Sequence, residues 1–318
     1  MRAGTLSAAD VESRFREAGL RVFERGWLSS NNVLFGKRSE EPSILVDSGY
    51  WSHQEQTAAL VRGALGADGR LDRVINTHLH SDHCGGNAHL QRLFDCQVDV
   101  PAGEFEKVER WSEEELTYQP TGQHCPRFTA HGRLQAGEHF DLAGRAWNII
   151  ASPGHDPESV MLHEPSLGIL ISADALWEDG FGVVFPELEG FGAFDDVRRT
   201  LELISQLSVE VVIPGHGRPF IDVRTALERA HAKLDRFVAD PRKHALHAAK
   251  VLIKFHLLEV QGATLSELDS WLRETSYFGS VHARHFGQHS WMDWRSELLE
   301  GLRRSRAIEF DGSIVRNL

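Results

Sequence analysis

The sequence predicts an α/β domain followed by a smaller, mostly helical domain with a terminal β-hairpin. Between residues 21 and 100, short apolar runs typical of strands alternate with amphipathic stretches typical of helices. From residue 221 onward the pattern changes to long helical repeats, and the last predicted elements are two strands around an Asp-Gly turn. We therefore divide the chain into a catalytic domain at 1–222 and a C-terminal domain at 223–318.

The elements of the first domain follow from local patterns. Four consecutive Ser and Asn residues at 29–32 have the composition of a turn and separate the first two strands. Residues 118–126 are rich in turn formers without periodicity, so they predict either a wall or lid of a cleft or a surface excursion. Strands are predicted at 21–27, 33–36, 44–46, 73–76 and 97–100, and helices at 8–18, 53–65, 88–94, 104–111 and 195–207.

Composition restricts the class of protein. The 318-residue chain contains no run of about 18 apolar residues, so we expect no membrane span. Residues 1–20 lack an apolar signal core, and the three cysteines follow no disulfide pattern, so we expect a cytoplasmic protein. Cys84 follows a histidine directly, yet a packing role is favoured over a metal or redox role. The formal net charge of −12 argues against nucleic acid as the main partner.

One loop concentrates potential metal ligands. His78, His80, Asp82 and His83 fall within six residues, directly after an apolar run that predicts the end of a buried strand. Because alternate residues of an extended loop point to one side, His78 and His80 can share one metal ion. Asp82 and His83 lie past the bend and can reach a second ion. A histidine-rich surface loop is the alternative interpretation.

Three later positions repeat one arrangement, in which a short strand-like run ends in a turn of small residues that carries one His or Asp. A single histidine after a strand is more often a capping or core residue, but rigid strands also carry loops whose tips converge on a site. The three positions are His155 after the run at 147–150, Asp174 after 168–171 and His216 after 209–213.

The motif order HxHxDH, His, Asp and PGHG resembles the metallo-β-lactamase superfamily of hydrolases. Within this superfamily, the sequence is most similar to the dinuclear branch that includes glyoxalase II-type thioesterases and quorum-quenching lactonases. The resemblance covers roughly residues 20–222. The resemblance implies a four-layer αβ/βα sandwich of two mixed sheets. It also implies that Asp47, at a strand end, supports the ligand loop from outside the ligand set. The implied ligands are His78, His80 and His155 for one ion, Asp82, His83 and His216 for the other, and Asp174 as the bridge between them.

The segment after Asp174 departs from both nearer relatives. Lactonases of this type commonly carry a Tyr three residues after this Asp, where the present chain has Trp177, whose indole only donates a hydrogen bond. Glyoxalase II enzymes carry basic residues for glutathione, and no Lys or Arg cluster occurs at 174–190. We expect Trp177 and Phe181 to line a cleft for an apolar acyl or ring group, with core packing as the alternative.

The predicted C-terminal elements resemble a winged-helix domain, an appendage of some proteins of this superfamily. Residues 242–318 hold 11 Lys and Arg against 9 Asp and Glu, which is too balanced for a phosphate-binding face. Packing against the catalytic domain, or a homodimer contact, is therefore favoured over DNA binding. The predicted helices are 221–239, 244–260, 264–273 and 290–303, and the hairpin is 307–316.

These expectations combine into a hydrolase hypothesis. A metal-bridging hydroxide would attack a small carbonyl ester, thioester or lactone, with Asp174 fixing the ions and Asp82 passing on a proton. Two divalent ions are expected, zinc first, with iron and manganese suited to the same ligands. A phosphodiesterase or ribonuclease of the same fold and a non-hydrolytic metal-binding protein are the alternatives.

Overall fold

The computed structural model describes residues 7–36, 41–66, 69–142 and 144–318. Residues 1–6, part of the segment considered for a signal sequence, lie outside these ranges. Within the described part of the chain, no helix is long and apolar enough to cross a membrane.

Six strands form the first sheet, in their chain order. The first three pair antiparallel, and β3 to β6 run parallel. The strands are β1 (Leu20–Phe23), β2 (Asn32–Phe35), β3 (Ile44–Val46), β4 (Arg73–Ile75), β5 (Gln97–Pro101) and β6 (Gly132–Leu134). The helices of this half are α1 (Ala8–Ala18), α2 (Gln54–Leu65), α3 (Ser81–Cys84), α4 (Asn87–Phe94), α5 (Phe105–Arg110) and α6 (Tyr118–Thr121).

The strand predicted at 21–27 is wrong in its second half. The strand ends at Phe23, and a turn follows in which the Ser29 amide donates to the Gly26 carbonyl at 3.0 Å. This turn places Trp27 on the surface, where 59% of it is exposed. A glycine within the alternating pattern therefore marked the end of the strand rather than its middle.

Five strands form the second sheet, in the spatial order β11-β10-β9-β8-β7. Only β10 and β11 are parallel neighbours, so this sheet is mixed as well. The strands are β7 (His139–Leu142), β8 (Arg145–Ala151), β9 (Val160–Glu164), β10 (Ile169–Ala173) and β11 (Val211–Pro214), with helices α7 (Phe185–Glu189) and α8 (Phe194–Gln206) between β10 and β11.

The two sheets pack face to face with helices outside. Side chains alternate along the strands, so that Val33 and Phe35 enter the core between the sheets while Leu34 joins the helices on the outer face. On the second sheet, Leu170 and Val212 pack against the outer helices in the same way. Helices therefore cover both outer faces, which confirms the predicted four-layer αβ/βα sandwich.

The remaining chain is mostly helical and has a hydrophobic core of its own, to which Val183 and Leu188 also contribute. Thr264 caps its helix with a capping box to Glu267, as the sequence predicted. The domain boundary at 222 stays a prediction, as does the winged-helix comparison, and α9 packs in the core of the second sheet. The elements are α9 (Val223–Ala239), α10 (Pro241–Val260), β12 (Gly262–Thr264), α11 (Leu265–Glu274), α12 (Ser276–Val281), α13 (Trp291–Arg304), β13 (Ile308–Asp311) and β14 (Ile314–Asn317), with the three strands in the order β12-β14-β13.

Candidate metal centre

The parallel pairing of β3 and β4 sets the first part of the site. Val46 lies opposite Ile75, so Asp47 and Thr77 leave the sheet side by side. Thr77 donates to the Asp47 carboxylate through its amide (2.9 Å) and its hydroxyl (2.8 Å), and His83 Nδ1 donates to it at 2.8 Å. Because an ionised carboxylate only accepts, Nδ1 of His83 carries a proton, which leaves Nε2 as the atom of this residue that can bind a metal ion.

The ligand loop bends between His80 and Ser81, where extended backbone passes into the short helix α3. His78 and His80 precede the bend, and Asp82 and His83 lie in the first turn after it. The chain then passes so close to a neighbouring loop that a Cβ at Gly85 would come within 2.5 Å of the Trp51 amide nitrogen. A side chain at this position is therefore excluded by close backbone approach.

Strands of the second sheet deliver the other three side chains. Ala173 of β10 lies opposite Pro214 of β11, so Asp174 and the turn that carries His216 leave neighbouring strands together. A Cβ at Gly215 would lie 2.1 Å from Asp174 Oδ1, so this turn accepts only glycine without rearrangement. His155 lies in the loop between β8 and β9, whose last paired residues are Ala151 and Val160.

All seven predicted ligand side chains meet at this edge of the sandwich. His80 Nδ1 lies 2.7 Å from His155 Nε2 and 3.1 Å from His78 Nε2. His216 Nε2 lies 3.0 Å from Asp82 Oδ2. Asp174 sits between the two sets, with Oδ1 3.5 Å from His83 Nε2 and Oδ2 3.4 Å from His155 Nε2. Ligand atoms lie within 4.8 Å of one another in three groups: His78, His80 and His155; His78, His83 and Asp174; Asp82, His83 and His216.

The donor chemistry of these residues fits divalent metal ions. Nε2 of His83 is buried without a hydrogen-bond partner. Nδ1 of His155 donates to the Val183 carbonyl, so its Nε2 faces His80 as an acceptor. Several nitrogen and oxygen lone pairs therefore point at one another without enough protons between them to form hydrogen bonds. A metal cation can bind these lone pairs. Imidazole and carboxylate together suit zinc, iron and manganese.

The electrostatic environment supports the same interpretation. Burial, together with neighbouring imidazoles, lowers the pKa of His80 and of His155 to about 4. Both are therefore neutral near pH 7, as metal binding requires. Burial disfavours the charged form of His83 as well, but the carboxylates of Asp47, Asp174 and Asp82 outweigh it and raise the pKa of His83 well above its ordinary value. The buried carboxylates therefore attract positive charge to this side of the centre.

Of the two predicted cleft residues, one lies beside the centre. Trp177 donates from its indole nitrogen to Asp174 Oδ1 at 3.1 Å, and its ring meets the His216 ring edge-on at 5.5 Å. Phe181 is 1% exposed within the core of the second sheet. Its carbonyl accepts from Lys233 Nζ at 2.7 Å, and the ammonium group lies 4.8 Å from its ring centre. Phe181 therefore packs the core and does not line the cleft.

Two aromatic residues beside the centre escaped the sequence analysis. The Trp27 ring stacks on His216 at 5.3 Å with an interplanar angle of 8°, and its own exposure places it at the mouth of the site. The Phe185 ring lies 5.1 Å from that of His80 and 5.8 Å from that of His155. No local pattern indicates either position, although an exposed tryptophan beside a ligand turn is a recognisable signal once the fold is known.

One residue of the turn at 29–32 has a different role from the one that the composition of this turn suggested. Asn31, predicted as part of a simple turn, donates from its side chain to the carbonyls of Pro214 and Gly217 at 2.9 and 2.7 Å. The backbone N–H of Asn31 also donates to the Gly215 carbonyl at 2.6 Å. Asn31 thus ties the first half of the chain to the turn that carries His216.

Fold and site together define an αβ/βα sandwich protein with clustered metal-binding side chains. The sequence profile described as the metallo-beta-lactamase superfamily matches residues 25–216. The chain therefore belongs to this superfamily.

Its relatives include the human acyl-coenzyme A thioesterase MBLAC2, 28% identical over 227 residues that cover 66% of this chain and 78% of the relative. The hydroxyacylglutathione hydrolase of Rhizobium meliloti is 29% identical over 116 residues, but only 36% of this chain and 38% of the relative are covered. Among solved structures, a β-lactamase domain protein from Burkholderia ambifaria matches 99% of this chain and 96% of its own length, with a TM-score of 0.60 at 20% identity. That likeness shows the fold.

Proposed function

We propose that the protein is a dinuclear metal-dependent hydrolase of small carbonyl esters and that thioesters are its substrates. The observation that carries the proposal is the convergence of seven His and Asp side chains, with neutral imidazoles on one side and carboxylates on the other. The relatives named as acyl-coenzyme A thioesterases, which align over two thirds of the chain, support the thioester class. Lactones are the alternative substrate class, because the same hydrolytic chemistry opens their ester bond.

Two of the three close groups match the ligand sets that the superfamily resemblance implies. His78, His80 and His155 would hold one ion, Asp82, His83 and His216 the other, and the Asp174 carboxylate reaches toward both sets. Zinc is the proposed metal, with iron and manganese as alternatives. When bound, such ions lower the pKa of a water molecule and polarise a carbonyl group.

The chain's own residues contribute orientation and proton transfer. Asp47 fixes the tautomer of His83, and Trp177 holds Asp174 Oδ1 through its indole N–H. Asp82 is partly accessible and lies 3.0 Å from His216, so its free oxygen is placed to receive a proton during product formation. Trp27 at the mouth offers a broad apolar surface to the acyl or leaving group.

The experiment combines metal dependence with a substrate panel. The purified protein, loaded in turn with zinc, manganese and iron, is assayed on thioesters, lactones, β-lactams and phosphodiesters. We expect thioester hydrolysis that chelation abolishes and metal restores. Asp174→Asn should lower kcat/KM at least about 100-fold, because partners beyond the ligands already cost 10–100-fold. The control is Asp195→Asn, the same change at an exposed position of α8. Full activity after exhaustive chelation would refute the proposal, and cleavage of phosphodiesters alone would favour the nuclease alternative.

A further inference from the structure

A carboxylate of the C-terminal region binds the loop that follows Asp47. Both oxygens of Glu259, near the end of α10, are used: Oε2 accepts from the Tyr50 hydroxyl at 2.9 Å and Oε1 from the Trp51 indole N–H at 3.1 Å. Tyr50 is fully buried, and its ring meets that of Phe255, one turn earlier in α10, edge-on at 5.1 Å. More than 200 residues of chain separate the two sides of this contact.

The hydroxyl of Tyr50 stays a donor over the whole physiological pH range. Burial, and after it the negative charge of Glu259, raises the pKa of Tyr50 above its ordinary value. The interaction is therefore a charge-assisted hydrogen bond between a neutral phenol and a carboxylate, a class about twice as strong as a neutral pair.

The loop bound by Glu259 packs directly on the ligand loop. The Ser48 amide donates to the His83 carbonyl at 2.7 Å, and the Gly86 amide donates to the Gly49 carbonyl at 3.0 Å. A Cβ at Gly86 would come within 2.6 Å of the Ser48 carbonyl oxygen, so the two backbones are in close contact. A displacement of residues 48–51 would therefore be passed to the helix that carries His83.

We propose that Glu259 is a positioning residue for the metal centre, through which the C-terminal region holds Asp47 and His83 in their binding geometry. Its route is continuous: Glu259 fixes Tyr50 and Trp51, these fix the segment after Asp47, and Asp47 fixes the tautomer and direction of His83. The inference rests on the proposed role of His83 as a ligand. It assigns the C-terminal region a function in metal binding, beyond its packing.

The competing explanation is that the Glu259 contact only docks the C-terminal region. Both explanations predict lower stability when the contact is lost, so the decisive quantity is metal affinity measured on folded protein. Glu259→Gln keeps the shape of the side chain but removes its charge and one of its two acceptor oxygens. Glu274→Gln is the matched control, since Glu274 is an exposed residue at the end of α11 with the same charge.

The test measures zinc affinity by chelator competition on the full chain, well below its unfolding temperature, and records the absorption spectrum of the cobalt-substituted protein. We expect Glu259→Gln to weaken zinc binding at the site that includes His83 about tenfold, the low end for residues outside the ligand set. The cobalt spectrum should change with it. Glu274→Gln should leave both unchanged. Tyr50→Phe should weaken zinc binding in the wild-type background. In the Glu259→Gln background it should weaken zinc binding by a smaller factor, because both substitutions break the same contact.

The outcomes separate the two proposals. Wild-type zinc affinity and spectrum in Glu259→Gln, with only a lower unfolding temperature, would overturn the positioning role and leave docking. Absence of zinc binding in the wild-type protein would instead overturn the proposed function. If Glu259→Gln fails to fold, Trp51→Phe removes one of the two donors with less disturbance, and unchanged zinc affinity in that variant likewise contradicts the proposal.

Discussion

The hydrogen bonds of Asp47 lead to a sharp prediction for Asp47→Asn. This residue has a left-handed backbone conformation (φ = 56°), which asparagine also tolerates, so the substitution should leave the chain path intact. The amide keeps one oxygen, which still accepts from the Thr77 amide. Its nitrogen, however, replaces the oxygen that accepted from His83 Nδ1 and donates instead. His83 must then accept at Nδ1 and carry its proton on Nε2.

The substitution should weaken metal binding and, separately, lower the stability of the metal-free protein. A proton on Nε2 occupies the lone pair that faces Asp174, 3.5 Å away, so His83 no longer offers a ligand atom without a tautomer change. Loss of such an outer partner weakens metal binding about 10–100-fold, or about 1.4–2.7 kcal/mol. Loss of a hydrogen bond to a charged group should lower the free energy of unfolding of the metal-free protein by about 2 kcal/mol.

The assay is chelator competition for zinc, with urea unfolding of the metal-free form alongside it. Asp99→Asn is the matched control, because Asp99 is another buried aspartate on a strand of the same sheet and its carboxylate binds Arg73, whereas it meets the start of the ligand loop only through its backbone carbonyl, at the Asn76 amide. It should change stability and leave zinc affinity unchanged. Equal zinc affinity in Asp47→Asn and wild type would refute the tautomer argument.

Two further predictions concern close packing and pH. Gly215→Ala should lower zinc affinity and hydrolysis more than tenfold, because the new Cβ would lie 2.1 Å from Asp174 Oδ1. The control Gly63→Ala, which has open space in α2, should leave both unchanged and stabilise the fold by about 0.5–1 kcal/mol. Equal activities of the two variants would contradict this prediction. Burial lowers the pKa of His244 to about 3, so the unfolded chain takes up a proton near pH 6.5 that the folded chain refuses, and stability should fall from pH 6.5 toward pH 3. His244→Gln can still accept from the Val184 amide and should remove up to about 2 kcal/mol of this loss of stability at pH 5, measured by urea unfolding. If the free energy of unfolding of this variant depends on pH as steeply as that of the wild type, the reasoning is wrong.

The α/β alternation and the ligand motifs could be predicted because both leave local signals, whereas the sandwich was implied by the superfamily resemblance that those motifs carry. A strand that ends in a small-residue turn with one His or Asp can be recognised without knowing which strand pairs with it. In the fold, the parallel pairing of β3 and β4 brings Asp47 beside Thr77. The roles of Trp27 and Glu259 depend on contacts with residues far along the chain, for which a single sequence gives no periodic pattern. Phe181 shows the opposite failure: proximity to a ligand in the sequence predicts a cleft residue, but in the fold its ring is buried in the core of the second sheet.

The division of the ligand side chains between the two sheets has a consequence for assembly. The loop of the first sheet supplies four of the side chains, and the second sheet supplies His155, Asp174 and His216. Each of the three groups takes side chains from both sheets, so bound ions would hold the two halves of the chain together. An ion that binds only the joined form adds to the free energy of unfolding in proportion to the logarithm of its concentration, about 2.7 kcal/mol at 100 times its dissociation constant. Metal supply would then govern how long the protein survives as well as how fast it works.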